Sequence, residues 1–224
     1  MEIIAKYIVY FFIYSFLGWI MEVCVSLIYK KRFVNRGFLI GPYCPIYGYG
    51  VIAIILLVGS CNNDVFAVFS KAVIISSVIE YATSYFMEKL FNIRWWDYSN
   101  KKFNMDGRIS LETMVSFGVL SCLIIYFIHP SIVSFVDTFS TNTLYVLAVI
   151  IVIVYIVDNI ISTHILIQIK DKIIEKGKDN TEKVKKYLFK WIEKNSYFYR
   201  RIKASFPKFQ IRLNIKERDK KKCK

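Results

Sequence analysis

The chain has 224 residues, 55% of them hydrophobic and 21% charged, with a formal net charge of +14 and a mean hydropathy of +0.40. This composition excludes a disordered chain, a collagen-like chain and a disulfide-rich secreted module, and the gathering of apolar residues into long blocks argues against a soluble enzyme. The charge is lopsided: 20 of the 31 Lys and Arg but only 7 of the 17 Asp and Glu lie from Lys170 onward, so a nearly neutral body, 1–169, carries a strongly basic tail, 170–224.

A helix needs about 20 mostly apolar residues to cross a bilayer, and five segments meet or approach that. The first, Ile8–Tyr29, is too long for a cleaved signal peptide, lacks a basic start and an A-x-A site, and contains Glu22. The second, Pro45–Ser60, is short. The third, fourth and fifth are Val65–Leu90, Leu111–Ile128 and Thr143–Ile169. Lys30, Lys31, Arg32 and Arg36 separate the first two, and Lys89, Arg94, Lys101, Lys102 and Arg108 separate the third from the fourth. The connections Gly59–Asp64 and His129–Asn142 hold no Lys or Arg. Positive loops on the inner side then predict an all-α polytopic protein of the cell membrane. It has about five transmembrane helices, the N-terminus outside and the basic tail in the cytoplasm.

Ionisable residues at membrane depth are costly and mark functional sites by default. Here they fall on helical faces. Ser15, Gly18, Glu22 and Ser26 share a stripe, as do Ser77, Glu80, Ser84 and Glu88; Arg108, Glu112 and Ser116 form a third and Tyr155, Asp158 and Ser162 a fourth. Small residues and hydroxyls allow such stripes to pack together, which makes Glu22, Glu80, Glu112 and Asp158 candidates for a substrate path. Glu88 and Lys71, near helix ends, read as structural or snorkelling groups.

The run Asn35–Gly50, N-R-G-F-L-I-G-P-Y-C-P-I-Y-G-Y-G, opposes regular helix through Gly37, Gly41, Pro42, Pro45 and Gly48. It is also too apolar for a solvated loop. The expectation is a broken or re-entrant segment whose free backbone faces the bundle interior, with Arg36 as a fixed positive charge at its inner mouth. A plain interfacial turn with a belt of Tyr43, Tyr47 and Tyr49 is the alternative. The loop Arg94–Arg108 places Trp95 and Trp96 in the headgroup zone and turns at Asn104, Asp106 and Gly107. Arg108 stands four residues before Glu112 and is expected to pair with it, while Asp97 is expected to cap or to pair with Arg36 or Arg108.

F-L-G-W-I-M-E at Phe16–Glu22, the Asn35–Gly50 run, W-D-Y-S at Trp96–Ser99 and N-M-D-G-R-I at Asn104–Ile109 carry a resemblance to a bacterial permease family called Putative ABC-transporter type IV, or CmpB-like. The resemblance covers about Ile8 to Leu166 and implies an integral membrane protein with a permease role.

No G-x-x-x-x-G-K-[ST] phosphate loop is present, so ATP-driven transport would need a separate ATPase subunit. At five spans, a homo-oligomer or another membrane subunit is expected. No metal or cofactor is expected, since the five cysteines form no C-x-x-C pair and the histidines are His129 and His164 alone. In the tail, Val184, Tyr187, Leu188, Trp191, Phe198 and Ile202 recur at roughly helical spacing among lysines. They read as a basic amphipathic helix on anionic lipid, in preference to a nucleic-acid site. The reading that results is a permease subunit for an unidentified solute. The alternatives are a membrane-embedded enzyme on lipid-linked substrates, with Glu22, Asp97 or Glu112 for acid–base work, and a non-catalytic membrane scaffold or regulator.

Overall fold

The computed structural model describes residues 1–31, 33–59, 64–175, 187, 188, 190–192, 199, 201, 202, 205, 210 and 211. Among them the helices are α1 (Glu2–Lys30), α2 (Pro45–Val58), α3 (Val65–Phe91), α4 (Leu111–Leu123), α5 (His129–Val136) and α6 (Thr141–Glu175). A π-helical turn, Ile124–Ile128, joins α4 to α5. Four rods are long and apolar enough to cross a membrane: Glu2–Ile28, Val65–Phe91, Leu111–Asp137 and Thr141–Ile174. The 14 residues of α2 reach only about 21 Å at 1.5 Å per residue, less than the roughly 30 Å of a hydrocarbon core.

The Leu111–Asp137 rod runs past the expected end at Ile128, and most of the expected loop His129–Asn142 is helix. The reason is Pro130. It has no N–H to give one turn back, and its ring crowds the carbonyl there. The ladder slips to wider spacing over Ile124–Ile128 instead of stopping, and Pro130 enters the first turn of α5, where no donor is needed.

Contacts at the two ends set the directions of the helices. At one end Lys6 bonds Asp137 at 2.8 Å and the Thr141 hydroxyl reaches Glu2 at 3.5 Å. At the other, β1 (Ile93–Arg94) pairs antiparallel with β4 (Gln210–Ile211), and Arg36 Nη1 donates to the Ser205 carbonyl at 2.6 Å. So α1, α3 and α6 run one way, and α2 and the α4–α5 rod run the other. The N-terminus and the described tail residues lie at opposite ends of the bundle.

Two apolar clusters hold the rods together. One, near the N-terminal end, joins Tyr10, Tyr14, Ile54, Val68, Ile125 and Leu144; within it the Tyr14 hydroxyl meets His129 Nδ1 at 2.8 Å. The other joins Phe91, Trp95, Leu166 and Ile173 to Leu188, Ile192 and Ile202 of the tail. These three tail residues are buried, so this part of the expected amphipathic face is covered by protein. Val184, Phe198 and 216–224 lie outside the described residues. The α6 helix also crosses the expected boundary at 169/170 and continues to Glu175. On the flanks of the rods large side chains such as Ile74, Phe86, Val119, Ile153 and Ile160 are exposed, a surface that only lipid or another apolar body can solvate.

Candidate functional site

The chain between α1 and α2 is irregular and enters the bundle. Cys44 N donates to the Ser15 carbonyl at 2.8 Å. Ser15 lies midway along α1, so α2 starts about halfway through the bundle. Its first residue is Pro45, which has no N–H to leave unpaired. Two glycines allow the close packing that follows. A Cβ on Gly48 would meet Ser15 Oγ and the Phe11 carbonyl, and one on Gly18 would enter the Tyr47 ring. Gly37 has φ of 102°, a region that suits glycine.

The irregular backbone is satisfied from α6. Asp158 Oδ1 accepts from Ile40 N at 2.9 Å and from the Ser162 hydroxyl at 2.8 Å. Its Oδ2 accepts from Gly41 N at 2.7 Å and from the Tyr43 hydroxyl at 2.6 Å. The Asn35 carboxamide adds a brace, accepting from Trp19 Nε1 at 2.7 Å and donating to the Ile40 carbonyl at 3.1 Å. Non-helical backbone is tolerated at membrane depth when the protein itself supplies such partners. Gly41 belongs to this turn, with Tyr43 folded against it, whereas Pro42 is exposed.

Beside this segment lies a cavity of about 860 Å³, bounded by α1, the start of α2, α3, the 95–100 loop, α4 and α6. Glu22, Arg36, Glu80 and Asp97 line it. Arg36 Nη2 pairs with Glu22 Oε2 at 3.1 Å, and the Tyr47 hydroxyl donates to Glu22 Oε1 at 2.7 Å. Arg201 and Ser205 of the tail also reach this mouth. Arg201 Nη2 donates to the Phe38 carbonyl at 2.8 Å, and the Ser205 hydroxyl donates to the Asn35 carbonyl. Glu80 is 5% exposed. Its Oε1 accepts from the Tyr98 hydroxyl at 3.2 Å, and its Oε2 has no hydrogen-bond partner among the described residues. Burial, and then the Glu80 carboxylate, hold the Tyr98 phenol above its ordinary value.

The other expected residues are placed differently. Asp97 pairs with Arg94 at 3.6 Å and, as a cap, accepts from Ser99 N at 3.0 Å. Arg108 pairs with Glu88 at 3.0 Å instead of Glu112, and donates to Ser84 at 3.2 Å. Arg94 meets the same Glu88 oxygen at 2.8 Å. The cause is a hairpin: β2 (Asn104–Met105) pairs with β3 (Ile109–Ser110) through Asp106 at φ 53° and Gly107 at φ 65°. Two successive positive φ values make the tight turn that matches strand twist, and it folds Arg108 back onto α3. Glu112 is exposed and pairs with Lys101 at 2.6 Å, and Ser116 and Lys71 are exposed as well. Thus Glu22, Arg36 and Glu80 line one cavity, Asp158 braces its wall, and Arg108 and Glu112 stand apart from it. Sequence reasoning missed Tyr47 and Tyr98 as partners of the two glutamates and Glu88 as the hub of two arginines. The only signal for the tyrosines was their place in the two unusual loops.

Four apolar rods, a helix that begins inside the bundle and a cavity holding ionisable groups define a polytopic α-helical membrane protein. The chain belongs to the Putative ABC-transporter type IV family, whose family model matches residues 9–163. That match includes most of α1, the broken segment, the hairpin loop and the part of α6 that carries Asp158. No curated protein and no solved structure matches the chain.

Proposed function

We propose that the protein is a permease subunit of an ABC-type system, taking an unidentified solute into the cavity beside the broken segment, with ATP hydrolysed by a separate ATPase subunit. The observation that carries this reading is the half-length α2 helix. It starts midway along α1 and opens a cavity of about 860 Å³ that reaches Glu22, Arg36 and Glu80. Irregular backbone bordering a polar cavity at mid-depth is how transporters build solute sites, and the volume falls in the range of about 300–1,000 Å³ typical of small-molecule sites. In this reading the Glu22–Arg36 pair guards the inner mouth, with the N-terminus outside and the basic tail in the cytoplasm beside anionic lipid. The loops 31–44 and 92–110 then form the face on which an ATPase docks. The family to which the chain belongs supports the reading.

The test is to crosslink native membranes, purify the tagged full-length chain in mild detergent and identify what is attached. An ATPase subunit, crosslinked through the 31–44 or 92–110 loops, is the expected result. Recovery of the chain alone, or as a homo-oligomer without any ATPase, overturns the reading.

A further inference from the structure

Within the cavity, the charges do not balance. Glu22 is neutralised by Arg36 at 3.1 Å, and Asp97 by Arg94 at 3.6 Å. Among the described residues no cation pairs with Glu80. Its Oε1 accepts from Tyr98 and the Thr113 hydroxyl lies close by, both of them uncharged donors, while the residue lines the cavity. A buried carboxylate without a countercharge is costly, and this one borders the cavity. The walls around it are aromatic as well as apolar: Tyr47, Trp95, Trp96, Tyr98, Phe117 and Tyr155 all line the same space. Aromatic faces attract organic cations, and desolvation strengthens the attraction. Neighbouring aliphatic residues such as Ile54, Ile79 and Leu120 suit an apolar body.

We infer that this cavity is a binding site for a lipophilic organic cation, a small molecule with one positive charge on an apolar frame, held by the Glu80 carboxylate and the surrounding aromatic rings. The inference deepens the permease reading by naming the class of solute. It is tested without any ATPase, so that either can fail alone.

The experiment titrates the purified full-length protein in neutral detergent, by calorimetry, with tetraphenylphosphonium and with triphenylphosphine oxide, an uncharged molecule of related shape. The wild type is expected to bind the cation at least tenfold more tightly than the neutral compound. Glu80→Gln is expected to lower affinity for the cation at least tenfold and to leave that for the neutral compound unchanged. Equal affinity for cation and neutral compound, or no binding of either by the wild type, overturns the inference without recourse to any variant. So does a folded Glu80→Gln protein that binds the cation as the wild type does. If tetraphenylphosphonium binds as expected but no ATPase is recovered from native membranes, the cation site stands and the permease reading falls.

Discussion

Replacing Asp158 by leucine removes a single carboxylate yet strands four donors. Ile40 N and Gly41 N, at 2.9 and 2.7 Å, lie in non-helical backbone and bond no second acceptor among the described residues. At about 1–3 kcal/mol for each unsatisfied buried donor, they set a loss of roughly 2–6 kcal/mol. The Tyr43 and Ser162 hydroxyls add less, since a hydroxyl rotates and serine in a helix finds the carbonyl four residues back. The better apolar fit of leucine offsets about 1–2 kcal/mol. Asp158→Asn keeps one acceptor oxygen but turns an amide toward other donors, so it should fall between, at about 1–3 kcal/mol. The assay is unfolding of the full-length protein in detergent, by heat and by SDS titration, with the stability order wild type, Asn, Leu. A second readout is Cys44, buried beside the segment, which should react faster with maleimide in the leucine variant as residues 35–44 come loose. A leucine variant as stable as the wild type, with Cys44 no more reactive, would refute the assignment of Asp158 as the anchor of the broken segment.

Glu88→Gln should destabilise by about 3–5 kcal/mol, because it leaves the guanidinium groups of Arg94 and Arg108, only 9% and 10% exposed, without their shared anion. Glu112→Gln, which breaks the exposed pair with Lys101, should change stability by less than about 1 kcal/mol; SDS titration of both variants side by side checks the contrast. Gly48→Ala should destabilise the α1–α2 contact measurably, since the added carbon meets backbone at Phe11 as well as Ser15 Oγ, whereas Gly50→Ala, with open space around it, should be neutral or slightly stabilising in the same melt. Leu188→Asp should lower the melting temperature by several degrees, because this fully buried tail residue packs in the cluster of Leu166 and Ile173 and a lone buried carboxylate is costly.

The apolar segments were legible because their length and composition are dictated by the bilayer, and the broken segment because glycine and proline at that density leave few alternatives. That Asp158 needs a partner also follows from its depth. The identity of that partner does not, since Ile40 and Gly41 lie 118 and 117 residues away and only the fold brings them near. The stripe Arg108–Glu112–Ser116 misled for a definite reason. Helical spacing was applied across a helix start: Ser110 is the N-cap of α4, bonded to Thr113 as a capping box, so Arg108 lies outside the helix and the four-residue rule does not reach it. The inward face of α4 is instead that of Phe117, Gly118 and Ser121, with a Cβ on Gly118 blocked by Val73 and Phe69 of α3. The Leu111–Asp137 rod runs on beyond Ile128 because a proline preceded by a π-turn ends no helix, and nothing local in the sequence distinguishes that outcome from a stop.

The most direct test of a polar interior shielded from lipid is cysteine accessibility at paired positions. In a variant whose own cysteines are replaced, single cysteines are placed at Ser76 and Asn159, which line the cavity, and at Val78 and Ile160, which are 62% and 65% exposed on the flanks of the rods. A water-soluble methanethiosulfonate added to open membrane fragments should label the first two and spare the second two. Labelling at 78 and 160 with none at 76 and 159 would contradict the account, because the surface assigned to lipid would then be the one in water.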